Sequence, residues 1–406
     1  MRICAFRHGG IVPPVYGALI RSYELLVNLI RRGHEVSLYS YGEGGRNYTY
    51  SNIRCRQLGR AAPFASGLGK LLYGVEGEWG FKLLFSGTPN LAAAAREEIR
   101  MCDIVYVEHI WSSLFPLMYA RIYHKRSVLD NHNVETMLAD RSRQEARGFL
   151  QRVLAFIWLS YVLLLEKISC SLADLVIVTS ETDRELLWNM LHVPVRKIQV
   201  VPNGVDLGAF RPSVEEGLRV RSRLGLSENA AVITFVGMLD YPPNLYAVRW
   251  IVDELVPKIH RRRPDTFFLI VGRNPPRGLG KDNRIVFAGE VESVVPFINA
   301  ADICIAPMTV GSGTRMKILS YLSCEKPVVS TELGVEGLDS SVTAKVCVGH
   351  LSEFPNLILE LLRQPKTPHE IGVREAISRY DWKTVSAKLE GMLISLIEER
   401  RTFATS

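Results

Sequence analysis

The densest chemistry in the chain is the run Val310-Gly311-Ser312-Gly313-Thr314-Arg315-Met316-Lys317-Ile318-Leu319. Its glycines let backbone N–H groups approach an anion, and the apolar spacing beyond Met316 reads as the start of a helix. A helix N-terminus carries partial positive charge. Arg315 and Lys317 fall in that first turn, where cations disfavour the helix itself, so an anion such as a phosphate is their natural partner. The competing reading is a tight loop with two solvated cations. Pro202-Asn203-Gly204-Val205-Asp206 ends another apolar run in a strong turn signal. Near the start, Arg7-His8-Gly9-Gly10-Ile11 through Gly17 forms a glycine-bearing loop without the G-x-G-x-x-G spacing of a dinucleotide fingerprint. Glu108-His109 and Asp130-Asn131-His132-Asn133-Val134-Glu135 close two more apolar runs. Such polar clusters supply general acid or base groups or grip hydroxyls; packed or capping histidines are the plainer alternative.

Several motifs are missing from the sequence: D-x-D, a complete P-loop, H-E-x-x-H and G-x-S-x-G. No metal-ligand set stands out, and no cofactor is expected.

Short apolar runs alternate with longer amphipathic ones, the pattern of βαβ units around a parallel sheet. Strands are expected at Arg2–Phe6, His34–Tyr39, Asp103–Val107, Ser127–Leu129 and Leu175–Thr179, with a helix from Tyr16 to Arg32 closed by Gly33. A second series is expected at Gln199–Val201, Val232–Val236, Thr266–Val271, Ile285–Ala288, Ile303–Ala306 and Pro327–Ser330. Helices are placed at Leu245–His260, Val291–Asn299, Arg315–Leu322 and Trp382–Arg401. The fold class is therefore α/β, with two doubly wound Rossmann-like domains facing across a cleft. The boundaries read 1–182, completed by helix 382–406, and 183–381. Open α/β sheets bind ligands beyond the carboxyl ends of their strands, where all the clusters above lie.

The 406 residues suffice for two cores, and the composition is that of a folded soluble protein, 47% hydrophobic and 22% charged. A net charge of +7 suits an anionic partner, but no long Lys/Arg block points to nucleic acid. Seven scattered cysteines without a C-x-x-C pair fit a reducing compartment, the cytoplasm. Met1–Phe6 reads as a strand rather than a secretory leader. Val153–Leu165 is uncharged; a buried helix is the first reading and an interfacial membrane helix the second. Leu68–Phe85, rich in aromatic residues, is a further candidate for acceptor or membrane contact, with ordinary core as the alternative.

The ordered motifs resemble the family 4 retaining glycosyltransferases with the GT-B fold. The resemblance rests on Pro202–Asp206, Phe235-Val236-Gly237-Met238-Leu239-Asp240-Tyr241-Pro242-Pro243-Asn244, Phe268–Pro276, Gly311–Leu319, Lys326–Thr331 and Gly334-Val335-Glu336-Gly337-Leu338. The first half agrees more loosely, through Arg31–Val36, Glu108-His109 and His132–Glu135. The resemblance implies a metal-independent hexosyl transfer from a nucleotide-diphosphate sugar to an alcohol acceptor, a glycan or a lipid-linked one. The basic charge and the Val153–Leu165 run add the expectation of peripheral contact at an inner membrane face. It places Gly10, Gly237, Asp240, Arg273, Gly313, Thr314, Arg315, Lys317, Ser320 and Glu336 around the donor, and Glu108, His109 and His132 near the reacting sugar. The family's two glutamates, eight residues apart, are here Ser312 and Ser320. Glu325 replaces the usual glycine before Lys326-Pro327, and the basic pair after the strand at Gly237 is absent. A non-catalytic relative that binds a glycan or a partner transferase, and a sugar-nucleotide epimerase, are the alternatives.

Overall fold

The apolar runs become parallel strands. β1 (Arg2–Arg7), β2 (Glu35–Tyr41), β3 (Asn47–Tyr50), β4 (Ile53–Leu58), β5 (Ile104–Glu108), β6 (Arg126–Asp130), β7 (Leu175–Val178) and β8 (Ile198–Val200) form one sheet in the order β3-β4-β2-β1-β5-β6-β7-β8. This computed structural model describes residues 1–7, 9, 11, 17–41, 47–58, 93–227, 230–276, 278–279, 282–310, 313–364 and 372–404. Gly10, Gly311, Ser312 and the Leu68–Phe85 run lie outside the described residues. Central parallel strands are covered on both faces and read as continuous apolar runs; Ile3, Cys4, Ala5 and Phe6 are accordingly all buried.

Between β1 and β2 lies α1 (Gly17–Arg31), and Gly33 at φ +90° ends it as expected. The hairpin β3–β4 escaped the sequence reading. β3 is a mostly exposed edge strand, antiparallel to β4, and Ser51 and Asn52 turn it with φ of +46° and +65° rather than with a glycine. Further along are α2 (Leu114–Ile122), α3 (Glu135–Glu145) and α4 (Phe149–Leu172).

Two expectations fail in this half. The run at Gln199–Val201, assigned to the second series, pairs as β8 with β7 in the first sheet. Accordingly, the first compact unit is Met1–Pro202 with Val385–Ser406, and the second is Asn203–Thr384. The Val153–Leu165 helix is also not buried: α4 runs 24 residues, with Phe149 85% exposed, Phe156 63% and Ile157 57%. Val162 is the buried residue of that run, with Trp158, Leu159, Tyr161 and Leu165 packed partly on the core, and Glu166, Ser169 and Cys170 are buried beyond it.

In the second unit, β9 (Ala231–Val236), β10 (Thr266–Val271), β11 (Ile285–Gly289), β12 (Ile303–Ala306), β13 (Val328–Ser330) and β14 (Cys347–Val348) stand in the order β11-β10-β9-β12-β13-β14. β14 is too short to leave a pattern. The expected helix Leu245–His260 is an α-helix over Pro242–Trp250, a π-helical turn over Ile251–Leu255, and α again over Val256–His260. Pro257 has no N–H for the regular ladder, which accounts for the widened turn before it. Pro296 likewise sets the late start of the helix Val295–Asn299, expected from Val291. α5 (Met316–Ser323) and α6 (Glu332–Val335) follow β12 and β13.

The strand order reverses direction at β1/β5 in the first sheet and at β9/β12 in the second. Ligands in such sheets sit outside the carboxyl ends at these switch points. At the second, β9 and β10 end in Gly237 and Gly272, and a Cβ on Gly272 would lie 1.8 Å from the Gly237 carbonyl oxygen. Gly272→Ala is expected to cost about 3 kcal/mol or more. A urea melt that moves by less would show that the two backbones can separate.

Candidate functional site

In the first unit the polar groups gather beyond β1, β5 and β6. Asp130 ends β6 and is buried. Arg21, on α1 and also buried, donates to both its oxygens, Nε to Oδ2 at 3.2 Å and Nη2 to Oδ1 at 2.8 Å; the Tyr106 hydroxyl donates to Oδ2 at 2.6 Å. Burial alone would raise the Asp130 pKa, but Arg21 and then His132 outweigh it and hold the carboxyl well below the usual range. Arg21 also donates to the carbonyls of Val201 and Pro202, at 2.9 and 3.0 Å.

Glu108 ends β5, accepts a short hydrogen bond from the Ser22 hydroxyl and lies 3.7 Å from Arg7 Nε. His109 has φ +61°, ψ 150°, unusual for a side-chain-bearing residue, and its N–H donates to the Asp130 carbonyl at 3.0 Å. Its ring packs on that of His132 with centroids 4.0 Å apart. Burial, then His132 and Arg7, pushes the His109 pKa well below the ordinary histidine value. Its imidazole is therefore neutral, and a neutral ring offers one donor and one acceptor. His132 Nε2 stands 3.6 Å from Asp130 Oδ2. The structure thus packs His109 against His132, with Glu108 at the end of the strand beside them and tied to Ser22 and Arg7.

Five buried polar atoms here have no hydrogen-bond partner among the described residues: Glu108 Oε1, both ring nitrogens of His132, and Nε and Nη1 of Arg7. Buried polar groups are almost always satisfied, so this is a place for a polar ligand or ordered water. Arg21 and Tyr106 were not singled out from the sequence; Arg7 and Asp130 stood at the edges of runs that were.

A second carboxylate pair borders the cluster. Glu135, at the start of α3, has Oε1 4.0 Å from His109 Nδ1. Glu166, on α4, accepts from Thr136 Oγ1 at 2.6 Å, Thr136 N at 2.8 Å and Glu135 N at 3.1 Å, so it caps α3. Burial, followed by the charge of Glu166, raises Glu135 to about 8; burial raises Glu166 to about 7 despite its hydrogen bonds. A carboxyl whose folded pKa is raised stabilises the fold fully below its unfolded pKa, and that stability is lost as pH rises through the folded value. The lowered His109 and Lys317 pKa values act in the opposite direction, so the contribution of Glu135 is read as the difference in melting temperature between the unaltered chain and Glu135→Gln, which is expected to change in favour of the variant from about pH 5 to about pH 8. A difference that does not change with pH over that range would overturn the assignment.

In the second unit, Gly237 follows β9 and faces Asn244, whose Nδ2 donates to the Met238 carbonyl at 2.9 Å. Asn244 Oδ1 accepts from Lys317 Nζ at 2.8 Å, and that ammonium sits 4.1 Å from the centroid of the Phe235 ring. Burial, with Arg315 adding, lowers the Lys317 pKa to about 7. Thr314 is buried, its hydroxyl without a partner among the described residues, and Arg315 occupies the N-cap position of α5. Gly313 takes φ +74° in the same loop. Arg273 follows β10 and donates from Nη2 to Met238 Sδ at 2.9 Å. Asp240 is exposed and accepts from Asn274 at 2.7 Å. Ser320 donates to the Met316 carbonyl within α5 at 3.1 Å. Glu336 follows α6, which Thr331 caps. All of these except Ser320, a turn into α5, lie in loops or helix starts beyond strand carboxyl ends.

Two parallel-sheet α/β units, each with polar groups at its switch point, define the class: this is the GT-B architecture of glycosyltransferases. Sucrose-phosphate synthase from Thermosynechococcus elongatus matches the fold with a TM-score of 0.72 at 18% identity, covering all of both chains. The sequence model of Glycosyltransferase Family 4 matches residues 16–209 and that of Glycosyl transferases group 1 matches residues 230–364. The chain belongs to this family of group 1, family 4 glycosyltransferases. It is similar to the UDP-Gal:alpha-D-GlcNAc-diphosphoundecaprenol alpha-1,3-galactosyltransferase of Escherichia coli, 28% identical over 44% of this chain and 45% of that one. It is also similar to the D-inositol 3-phosphate glycosyltransferase of Acidothermus cellulolyticus, 28% identical over 57% of this chain and 56% of the other. The chain spans about half the length of the curated relatives it matches.

Proposed function

We propose that the chain transfers a hexosyl group from a nucleotide-diphosphate sugar to an alcohol acceptor, a glycan or a lipid-linked one, with retention and without a metal. The observation that carries this reading is the cationic start of α5. Arg315 and Lys317 stand there with the Thr314 hydroxyl and the positive-φ Gly313, at a helix start whose N-cap residue makes no side-chain cap hydrogen bond among the described residues. Departure of a nucleoside diphosphate builds charge on phosphate oxygens, and fixed cations at a helix N-terminus stabilise it with little reorganisation. Gly237, Asp240, Arg273, Ser320 and Glu336 would complete the donor contacts. In the first unit, the neutral His109 and the Nδ1 of His132, whose Nε2 faces Asp130, suit hydroxyl groups, which both donate and accept. Glu108, tied to Ser22 and Arg7, acts there as an anchor for Arg7 and a charge near the reacting sugar. The names of the two relatives support the substrate class: one uses UDP-Gal and a diphosphoundecaprenol-linked acceptor, the other a phosphorylated inositol.

A second reading has its own support. Ser320 occupies the position of the family's second glutamate, and its hydroxyl already bonds within the helix. A degenerate, non-catalytic protein would tolerate that loss. A thermal-shift screen across nucleoside diphosphates and their sugars, followed by donor hydrolysis and transfer assays with and without EDTA, separates the readings. A ligand of the folded state raises the melting temperature. Nucleotide binding and EDTA-resistant turnover support the transferase, whereas neither binding nor turnover of any nucleotide sugar overturns it.

A further inference from the structure

We infer that α4 with the adjoining end of α2 forms a docking face for an anionic lipid bilayer, independent of the catalytic reading. The helix is apolar on both sides. Its inner side packs Val162, Cys170, Trp158 and Leu165 on the core of the first unit and carries Glu166, which caps α3, and Ser169, whose hydroxyl meets that of Ser113 at 2.6 Å. Its outward face carries Phe149, Leu150, Val153, Phe156, Ile157, Leu163, Leu164 and Ile168, all at least 37% exposed. On α2, Met118 and Ile122 are 41% and 60% exposed, and with Arg121, Ser171 and Leu172 they line a surface depression at the end of α4. Large contiguous apolar surface of this kind marks an interaction site.

Charge selects the occupant. Residues 114–126 and 147–174 hold Arg121, Lys125, Arg126, Arg147, Arg152 and Lys167, against Glu166, which is buried, and Asp174, which pairs with Arg126 at 3.7 Å. Arg121 also donates to the carbonyls of Ser171 and Leu172, and Lys197 to that of Ser171, so the cations crowd the C-terminal end of α4. A second copy related by a two-fold axis would set this surface against itself, cation against cation. An acidic headgroup layer complements it, while the aromatic and aliphatic side chains enter the acyl boundary. Among the described residues α4 is long and apolar enough to cross a bilayer. The hydrogen bonds of Glu166 and Ser169 nevertheless hold its other face to the first unit, so it lies in the interface plane rather than spanning.

Flotation of the full chain with phosphatidylcholine vesicles, with and without phosphatidylglycerol, tests this. The protein is expected to float with the anionic vesicles, less with neutral ones, and less as salt rises. The pair Phe156→Ser with Ile157→Ser is expected to cut partitioning at least tenfold and leave the melting temperature unchanged. Arg147→Glu with Lys167→Glu should erase the preference for anionic vesicles. Failure to float overturns the proposal. So does a dimer in light scattering that the serine pair dissolves, which assigns the face to a second copy. A fall in melting temperature for that pair also overturns it, because the face would then pack against another part of the chain.

Discussion

Lys317→Met is expected to weaken nucleotide-sugar binding at least tenfold and to remove the pH dependence of that binding between about pH 6 and 9. The argument starts from the low pKa of about 7, which burial and then Arg315 impose. In the unliganded protein part of the ammonium is therefore neutral near pH 7. A diphosphate favours the charged form, so its binding draws in a proton, and affinity falls as pH climbs above about 7. Methionine keeps the apolar contact with Phe235 but offers no charge. Calorimetry in buffers of different ionisation enthalpy reads the proton uptake directly, and it should vanish in the variant. Arg315→Ala is expected to lower affinity similarly but to raise the Lys317 pKa, so proton uptake shrinks without disappearing. Unchanged affinity and an unchanged pH profile in Lys317→Met would show that this ammonium is only a packing element between Phe235 and Asn244. Ser320→Ala, which loses one bond inside α5, should change affinity far less.

What the sequence disclosed and what it hid follow from the same physics. Buried parallel strands announce themselves as apolar runs, so Thr266–Val271 and Ile303–Ala306 are read with the bounds the structure has. An exposed edge such as β3 and a two-residue strand such as β14 carry no such signature. Glu108, His109 and His132 were legible because they stand directly after strands. Arg21 was not, because it lies 109 residues from its partner Asp130 and an arginine on a helix ordinarily faces water. A signal existed: Arg21, Ser22, Leu25, Leu26 and Leu29 share the buried side of α1, so two polar residues interrupt an apolar stripe. In α4 the error had the opposite sign. An apolar run was read as core, although apolar residues need not be inside. The better guide was Glu166 and Ser169, three apart, since a carboxylate and a hydroxyl on one helix face can mark a buried, hydrogen-bonded side.

Asp130→Ala is expected to destabilise the first unit by about 3–5 kcal/mol, the cost of leaving a buried charge without its partner. Arg21 is 1% exposed and both Asp130 oxygens receive its guanidinium, while Tyr106 gives its hydroxyl to the same carboxylate. Removing the carboxylate strands a cation and a phenol together, and no water-exposed route lets Arg21 escape, because its remaining bonds fix it to the Val201 and Pro202 carbonyls. Adding Arg21→Met removes the stranded charge, so the double variant should recover part of the loss rather than add to it, a coupling read by a double-mutant cycle in urea. Additive losses in the cycle would mean that Arg21 and Asp130 act separately. A single loss below about 1 kcal/mol would place the pair in solvent, contrary to its burial.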